Sequence, residues 1–215
     1  MSKEKHHLFT ILMTALAMMT VITAAVSLVL YLVPVYDLAI DYLDLSRKTG
    51  MDKAAMVRNF RILIHYNLFW TKETLAFPDF ASSPSGLVHF RDVKVIFRNI
   101  QIMALSGIPL TYLGYRLSRK KKSYRWITWT AILTISLLAG IAAGVWINAE
   151  KTFMFLHKIL FTNTYWVFNP KKDPIITILP GEVFLIFALE AAAWILIALI
   201  ILEVRKMTLE RRKDR

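Results

Sequence analysis

WITWTAILTISLLAGIAAGVWINA, residues 126–149, contains no charged side chain. A helix rises about 1.5 Å per residue, so about 20 apolar residues cross the hydrocarbon core of a bilayer. In lipid every backbone N–H and C=O must be bonded within the protein, and a helix does this within one segment. Residues 126–149 therefore predict a membrane-spanning helix.

Three other segments are also mainly apolar, at residues 8–34, 95–115 and 181–203. The first has no charged residue, the second carries Arg98, and the third carries Glu182, Glu190 and Glu203. The first is much longer than the apolar region of a cleaved signal peptide, which has about 7–15 residues, and we interpret it as a retained signal-anchor helix. The sequence thus predicts an all-α integral membrane protein with four transmembrane helices, forming a single membrane domain over residues 1–215.

The composition agrees with a membrane protein. Hydrophobic residues make up 56% of the chain, and the mean hydropathy is +0.48. The formal net charge of +12 lies in clusters beside the apolar spans, a pattern that favours anionic lipid headgroups over nucleic acid as its partner. There is no cysteine, which excludes disulfides, thiolate metal sites and a thioester intermediate on the protein.

Basic residues flanking the spans predict the orientation, because Lys and Arg are enriched on the cytoplasmic side. The loop at residues 116–125 holds six basic residues and no acid, whereas residues 35–94 hold eight basic residues against seven acids. The tail at residues 204–215 adds Arg205, Lys206, Arg211, Arg212, Lys213 and Arg215. We therefore expect both termini inside the cell, with residues 35–94 and 150–180 outside.

The first outer segment is too long for a simple connection. An apolar and acidic helical pattern occupies residues 36–43, and Asp52 is a candidate N-cap for a second helix over residues 53–70. We expect a helical extracellular cap. The second outer segment is rich in aromatic residues, which form either an interfacial belt or the wall of a lipid pocket.

Two histidines stand out because each lies outside, near a membrane boundary and among apolar residues. His89 and His157 are each ordinarily expected to be only hydrogen-bonded, but together they form a candidate acid–base pair. Asp92 follows His89 by three residues, so its carboxylate is placed to orient the imidazole. Capping the N-terminus of the second span is an equally good interpretation of Asp92.

Glu190 is the one ionisable residue between Val183 and Leu202 in the fourth span, where a charge is costly and often functional. Arg98 and Gln101 enter the membrane from the same side, so we expect one of them to contact Glu190, in a structural role or at the floor of a site. Gly140 and Gly144 form a small-xxx-small pattern that predicts close helix packing.

The order of these features resembles the bacterial lipoprotein intramolecular transacylases, four-span membrane proteins with an extracellular cap. The matching stretches are SGLVHFRDVK at residues 85–94 and FLHKILFTN at residues 155–163, followed by Trp166, Pro170 and DPIITILP at residues 173–180. In topology and length the resemblance covers nearly the whole chain.

The resemblance implies a multi-pass protein of the bacterial plasma membrane whose substrate is a diacylglyceryl-modified lipoprotein. The enzyme moves the sn-2 acyl chain from glycerol to the α-amino group of the N-terminal cysteine. The catalytic histidines map onto His89 and His157, at the extracellular face. Converting an ester to an amide is downhill, so no cofactor or metal is expected. We favour His89 as the base, oriented by Asp92, and His157 as the electrophilic partner.

An α-amino group has a reference pKa of about 7.7–8.0, so a neutral fraction is available to attack once a histidine accepts its proton. An aromatic pocket that folds the lipid headgroup into a reactive ring suits this intramolecular chemistry. The expected substrate-binding residues are Tyr66, Asn67, Phe69, Trp70, Arg98, Gln101, Asn163, Tyr165, Trp166 and Glu190.

Three alternatives stay open at this stage. One is a lipid hydrolase or acyltransferase that uses Ser85 as nucleophile with His89. Another is a metal site formed by His65 and Asp92 with the two histidines of the pair. The third is a lipid-binding membrane subunit without enzymatic activity.

Overall fold

The computed structural model describes residues 3–121 and 123–211. Of the basic residues used to predict orientation, Lys122, Arg212, Lys213 and Arg215 lie outside this range. The regular structure of the described residues is helical: α1 (Lys3–Tyr31), α2 (Val33–Tyr42), α3 (Leu45–Thr49), α4 (Lys53–Asn67), α5 (Pro84–Lys121), α6 (Arg125–Leu160), the 3-10 helix η1 (Pro174–Ile178) and α7 (Gly181–Arg211).

Within the described ranges, four helices are long and apolar enough to cross a membrane, which confirms the predicted all-α, four-span fold class. They comprise Glu4–Tyr31, Pro84–Lys120, Arg125–Leu160 and Gly181–Arg211. Their exposed surface is rich in large apolar side chains, such as Leu105, Ile108 and Leu113. Such a surface is unfavourable in water and favourable in lipid.

Helix ends differ from the hydropathy boundaries. The backbone of Leu32 is not helical, and α2 begins immediately after it with Pro34 in its first turn, where the missing N–H is not needed. Helix α5 begins at Pro84 rather than residue 95, and the Ser83 hydroxyl accepts a hydrogen bond from the Gly86 N–H at 3.0 Å. Asp92 therefore lies within the helix and does not cap it.

Helix α6 continues to Leu160 instead of ending at residue 149. It is interrupted by a kink at Asn148, where φ is −163° and ψ is 99°. The Asn148 side chain accepts a hydrogen bond from the Lys151 N–H at 2.8 Å and so restarts the helix. His157 consequently lies on a helix rather than in a loop.

The chain divides into two packed units. The first contains the described residues of Met1–Ala25, Ile102–Thr152 and Ala192–Arg215. Its buried Trp126 donates a hydrogen bond from the indole N–H to the Ser118 hydroxyl at 2.8 Å. Among the described residues, a Cβ at Gly140 would meet no atom within 4 Å, and one at Gly144 would meet Thr152 of the same helix. The close helix packing predicted for this pair is therefore not seen within the unit, whereas Gly107 lies against the Thr20 side chain.

The second unit contains Val26–Gln101 and Phe153–Ala191. As predicted, Asp52 caps α4, because its carboxylate accepts hydrogen bonds from the N–H groups of Ala54 and Ala55. Tyr36 is fully buried and donates to the Ile178 carbonyl at 2.9 Å. Burial raises the pKa of Tyr36, which keeps its hydroxyl protonated as a donor. The predicted cap helices thus pack on one apolar core with η1.

Candidate active site

The second unit encloses an apolar cavity of about 440 Å³. Aliphatic and phenylalanine side chains form most of its wall. Of the residues that line the cavity, four have polar side chains: Asn67, His89, His157 and Trp166. A concave apolar site with a few convergent polar groups is typical of a binding site for a lipid-like ligand.

His89 lies in the second turn of α5 and is only 6% exposed. Its ring packs against Phe161, at 4.9 Å between ring centroids, and against Phe168, at 5.2 Å. The Nδ1 atom is buried and has no hydrogen-bond partner among the described residues. A buried polar atom without a partner is unfavourable by about 1–3 kcal/mol, and such groups concentrate at functional sites.

His157 lies in the last turn of α6 and is held more firmly. Its Nδ1 is 2.9 Å from the Phe153 carbonyl oxygen, one turn earlier in the helix. Because a carbonyl can only accept, Nδ1 must carry the hydrogen, and Nε2 of the neutral ring then has the free lone pair. The ring packs on Phe153 at 3.9 Å and on Trp166 at 5.0 Å between centroids.

The two imidazoles meet at the cavity wall, with ring centroids 6.4 Å apart and ring planes inclined by 33°. They belong to positions 68 residues apart in the sequence (157 minus 89). No hydrogen bond joins the two rings in the described structure, so each remains able to act on a group placed between them. The arrangement makes the two rings a candidate acid–base pair.

Asp92 does not form the predicted hydrogen bond to His89. Its Oδ2 accepts a hydrogen bond from the Asn163 side-chain amide at 2.9 Å. Asn163 comes from the segment after α6 and reaches the side of α5 on which Asp92 lies. A planar amide donor satisfies the carboxylate directly, whereas His89 turns its ring into the aromatic wall of the cavity.

Gln101 holds the end of α4 to α5. Its amide nitrogen donates to the carbonyls of Asn67, at 2.9 Å, and Phe97, at 3.0 Å. Its side-chain oxygen accepts from the Tyr31 hydroxyl and the Phe69 N–H. None of these four bonds involves Glu190. Gln101 is structural and does not line the cavity.

The remaining predicted binding residues are more scattered. Phe69 and Trp70 pack edge to face, and Trp70 also stacks on Tyr31. About half of the Trp70 surface is exposed. The Lys94 ammonium lies 4.1 Å from the ring centroid of Tyr66. Eight of the predicted substrate-binding residues do not line the cavity: Tyr66, Phe69, Trp70, Arg98, Gln101, Asn163, Tyr165 and Glu190.

Arg98 is exposed, and Glu190 is half-buried beside the cavity-lining Ala188 and Ala191. Asn67 does line the cavity, with its amide nitrogen bonded to the Leu63 carbonyl and its side-chain oxygen buried without a partner. Of the ten predicted substrate-binding residues, Asn67 and Trp166 therefore form part of the wall.

Sequence reasoning missed the phenylalanines that hold the imidazoles. Phe153 and Phe161 lie one turn before and four residues after His157, and Phe168 contacts His89. The spacing of four residues on either side of His157 was the available signal, because side chains four apart lie on one face of a helix. The position of Phe168 depends on a loop and carried no such signal.

The alternative sites are not assembled. The Ser85 hydroxyl hydrogen-bonds with the Ser83 hydroxyl at 3.0 Å and not with His89. His65 pairs with Glu73 at 3.5 Å, in an exposed position away from the cavity wall. Among residues 3–121 and 123–211 there is no group of three or more histidine, cysteine or acidic side chains suited to hold a metal ion.

Fold and site together define a small four-span integral membrane protein with two histidines at the wall of an apolar cavity. The family model described as lipoprotein intramolecular transacylase Lit matches residues 11–184. The chain therefore belongs to the lipoprotein intramolecular transacylase family. Membership makes it a transacylase, an acyltransferase that acts on lipoproteins.

Solved structures agree with this assignment. The in meso structure of the membrane integral lipoprotein intramolecular transacylase Lit from Bacillus cereus superposes with a TM-score of 0.93, at 31% identity over 99% of each chain. A variant of that protein with a histidine replaced by arginine gives a TM-score of 0.87, at 31% identity over 98% of this chain and 94% of that one. No curated protein sequence matches this chain.

Proposed function

We propose that this protein moves the sn-2 acyl chain of a diacylglyceryl lipoprotein to the α-amino group of its N-terminal cysteine. The product is an N-acyl lipoprotein that retains a lyso-glyceryl group. His89 and His157 act as the acid–base pair. The observation that carries the proposal is their approach to 6.4 Å between ring centroids at the wall of one apolar cavity.

The tautomer of His157 supports a division of labour between the two rings. With Nδ1 bonded to the Phe153 carbonyl, Nε2 accepts the proton of the attacking amine. The N–C bond forms, and the His89 ring stabilises the negative charge on the acyl oxygen. His157 then delivers the proton to the glyceryl oxygen as the ester C–O bond breaks. This reverses the roles favoured from the sequence, because His89 lacks the expected Asp92 partner.

No cofactor enters this scheme, because the reaction exchanges an ester for a more stable amide. What the protein must supply is proximity. Well-oriented intramolecular reactions gain roughly 7–11 kcal/mol over their bimolecular counterparts. An apolar cavity of about 440 Å³ suits the acyl chains, and the polar groups of Asn67 and Trp166 in its wall suit the headgroup.

The reaction takes place, in this proposal, at the extracellular face of the bacterial plasma membrane. Support comes from the charge distribution, since residues 116–125 carry six basic residues and no acid. By the same charge rule, both termini lie inside, and the cap at residues 35–94 and the segment at residues 150–180 lie outside. A lipid-anchored substrate reaches the cavity from the membrane on that side.

Mass spectrometry of lipoprotein N-termini tests the proposal. The protein is expressed in cells that make diacylglyceryl lipoproteins but lack other N-acylation, and the N-terminal lipopeptides are sequenced. We expect an unchanged total lipid mass with one acyl chain on the amine. Acyl chains arriving from isotope-labelled phospholipid would instead identify an intermolecular transferase and overturn the proposal.

Substitution separates the histidine mechanism from its rivals. H89A and H157A should each lower the rate at least about 100-fold, the scale of general acid–base catalysis, while the protein still folds. H65A is the matched control, because His65 is exposed and pairs only with Glu73. S85A should retain activity; its loss together with a covalent acyl-enzyme would favour the serine mechanism.

A further inference from the structure

Asp92 is the acidic residue nearest in sequence to His89, yet its hydrogen bond leads elsewhere. It lies on α5, three residues after His89, and accepts from the Asn163 amide at 2.9 Å. Asn163 belongs to the irregular segment of residues 161–168, which leads away from the end of α6. The bond therefore ties this segment to α5, across 71 residues of chain.

Asn163 uses each of its other acceptors to organise the same segment. Its side-chain oxygen accepts from the Tyr165 N–H at 3.0 Å, and its backbone carbonyl accepts from the indole N–H of Trp166 at 2.9 Å. The Trp166 ring in turn lies 5.0 Å from the His157 ring between centroids and lines the cavity. Asp92, Asn163, Trp166 and His157 thus form a continuous chain of contacts.

We propose that Asp92 is a positioning residue for His157: it holds Asn163, which fixes the Trp166 indole against the His157 imidazole. The inference rests on the proposed function and deepens it, because it assigns Asp92 to the other histidine. In this role the carboxylate acts as a hydrogen-bond acceptor, and its negative charge is not required. A direct electrostatic role toward His89 would require the charge.

The two roles are separated by a conservative substitution. D92N keeps a side-chain oxygen that accepts from Asn163 but removes the charge. We expect D92N to retain the wild-type kcat and pH profile within about twofold. D92A and N163A remove the link, and each should lower kcat by about 10- to 100-fold with a smaller change in KM, the scale of effect that misplacing a catalytic group produces.

An exchange of partners gives a second test. N163D alone sets two carboxylates against each other and should lower kcat as N163A does. Combining it with D92N restores the bond in the opposite direction, because the new amide donates to the new carboxylate. N169A is the matched control: Asn169 caps the Lys171 N–H in the same region but has no link to α5, so its activity should stay near wild type.

Hydrogen–deuterium exchange of the purified protein provides a readout independent of activity. The amides of residues 161–168 should exchange faster in D92A and N163A but not in D92N or the double variant. If D92N loses as much activity as D92A, the charge matters and the proposal is wrong. Faster exchange with full activity would also overturn it. If the wild-type protein shows no acyl migration, the proposed function is refuted. Hydrogen–deuterium exchange then tests only whether the Asp92–Asn163 hydrogen bond orders residues 161–168.

Discussion

A methyl group added at Gly86 should destabilise the second unit. Gly86 lies one turn before His89, and a Cβ there would overlap the Asp173 carboxylate, with Cγ at 2.9 Å and a ring carbon of Phe168 at 3.2 Å. Asp173 is buried and cannot easily move, since it accepts hydrogen bonds from the Ser83 N–H and hydroxyl, both at 2.7 Å. The substitution G86A therefore forces either a backbone shift or the loss of these bonds.

The size of the effect follows from these two routes. Overpacking strain is about 1–3 kcal/mol, and hydrogen bonds to a charged group contribute about 1.5–3 kcal/mol each. Replacing glycine by alanine in a helix by itself stabilises the helix by about 0.5–1 kcal/mol. We expect a net loss of about 1–3 kcal/mol, or roughly 2–12 °C in the unfolding temperature of a protein of this size.

Thermal unfolding in detergent measures this loss. G181A is the control, because a Cβ at Gly181 would meet no atom within 4 Å and Gly181 also lies in the first turn of a helix. Activity should fall in G86A as well, since Phe168 contacts the His89 ring. An unfolding temperature of G86A equal to that of G181A would show that Asp173 and Phe168 do not confine this position.

Two further predictions concern polar groups of the second unit. Q101L removes the four hydrogen bonds of the Gln101 side chain and should lower the unfolding free energy by about 2–4 kcal/mol. Thermal unfolding equal to that of wild type would contradict this. Hydrogen bonds from Arg58 and Asn59 lower the pKa of Asp79. The stabilisation that the ionised Asp79 carboxylate provides is therefore present above the usual carboxyl pKa of about 3.9, and it is lost as the pH falls through the lowered pKa of Asp79. The difference in unfolding temperature between wild type and D79N should shrink from about pH 6 to about pH 3, and a constant difference would refute it.

Hydropathy predicted the number of spans but not where the helices end. Hydropathy indicates which residues prefer lipid, whereas a helix continues for as long as its backbone hydrogen bonds continue. Helix α5 begins at Pro84 because Ser83 caps it, well before the lipid-like segment begins. The N-cap at Asp52 was predictable because capping is local, with acceptor and donors only two or three residues apart.

The same distinction between local and long-range contacts explains what the sequence conveyed about the site. The sequence predicted that His89 and His157 lie on the outer face among apolar residues, and the fold brings both rings to one cavity. The assignment of Asp92 to His89 used a spacing of three residues, and such a spacing only makes a contact possible. Asn163, distant in sequence, supplies a donor to the same carboxylate. The role of a polar side chain near a candidate site thus depends on its hydrogen-bond partner in the folded structure. Here the partner of Asp92 is Asn163, which bonds Trp166, and the Trp166 ring packs on His157.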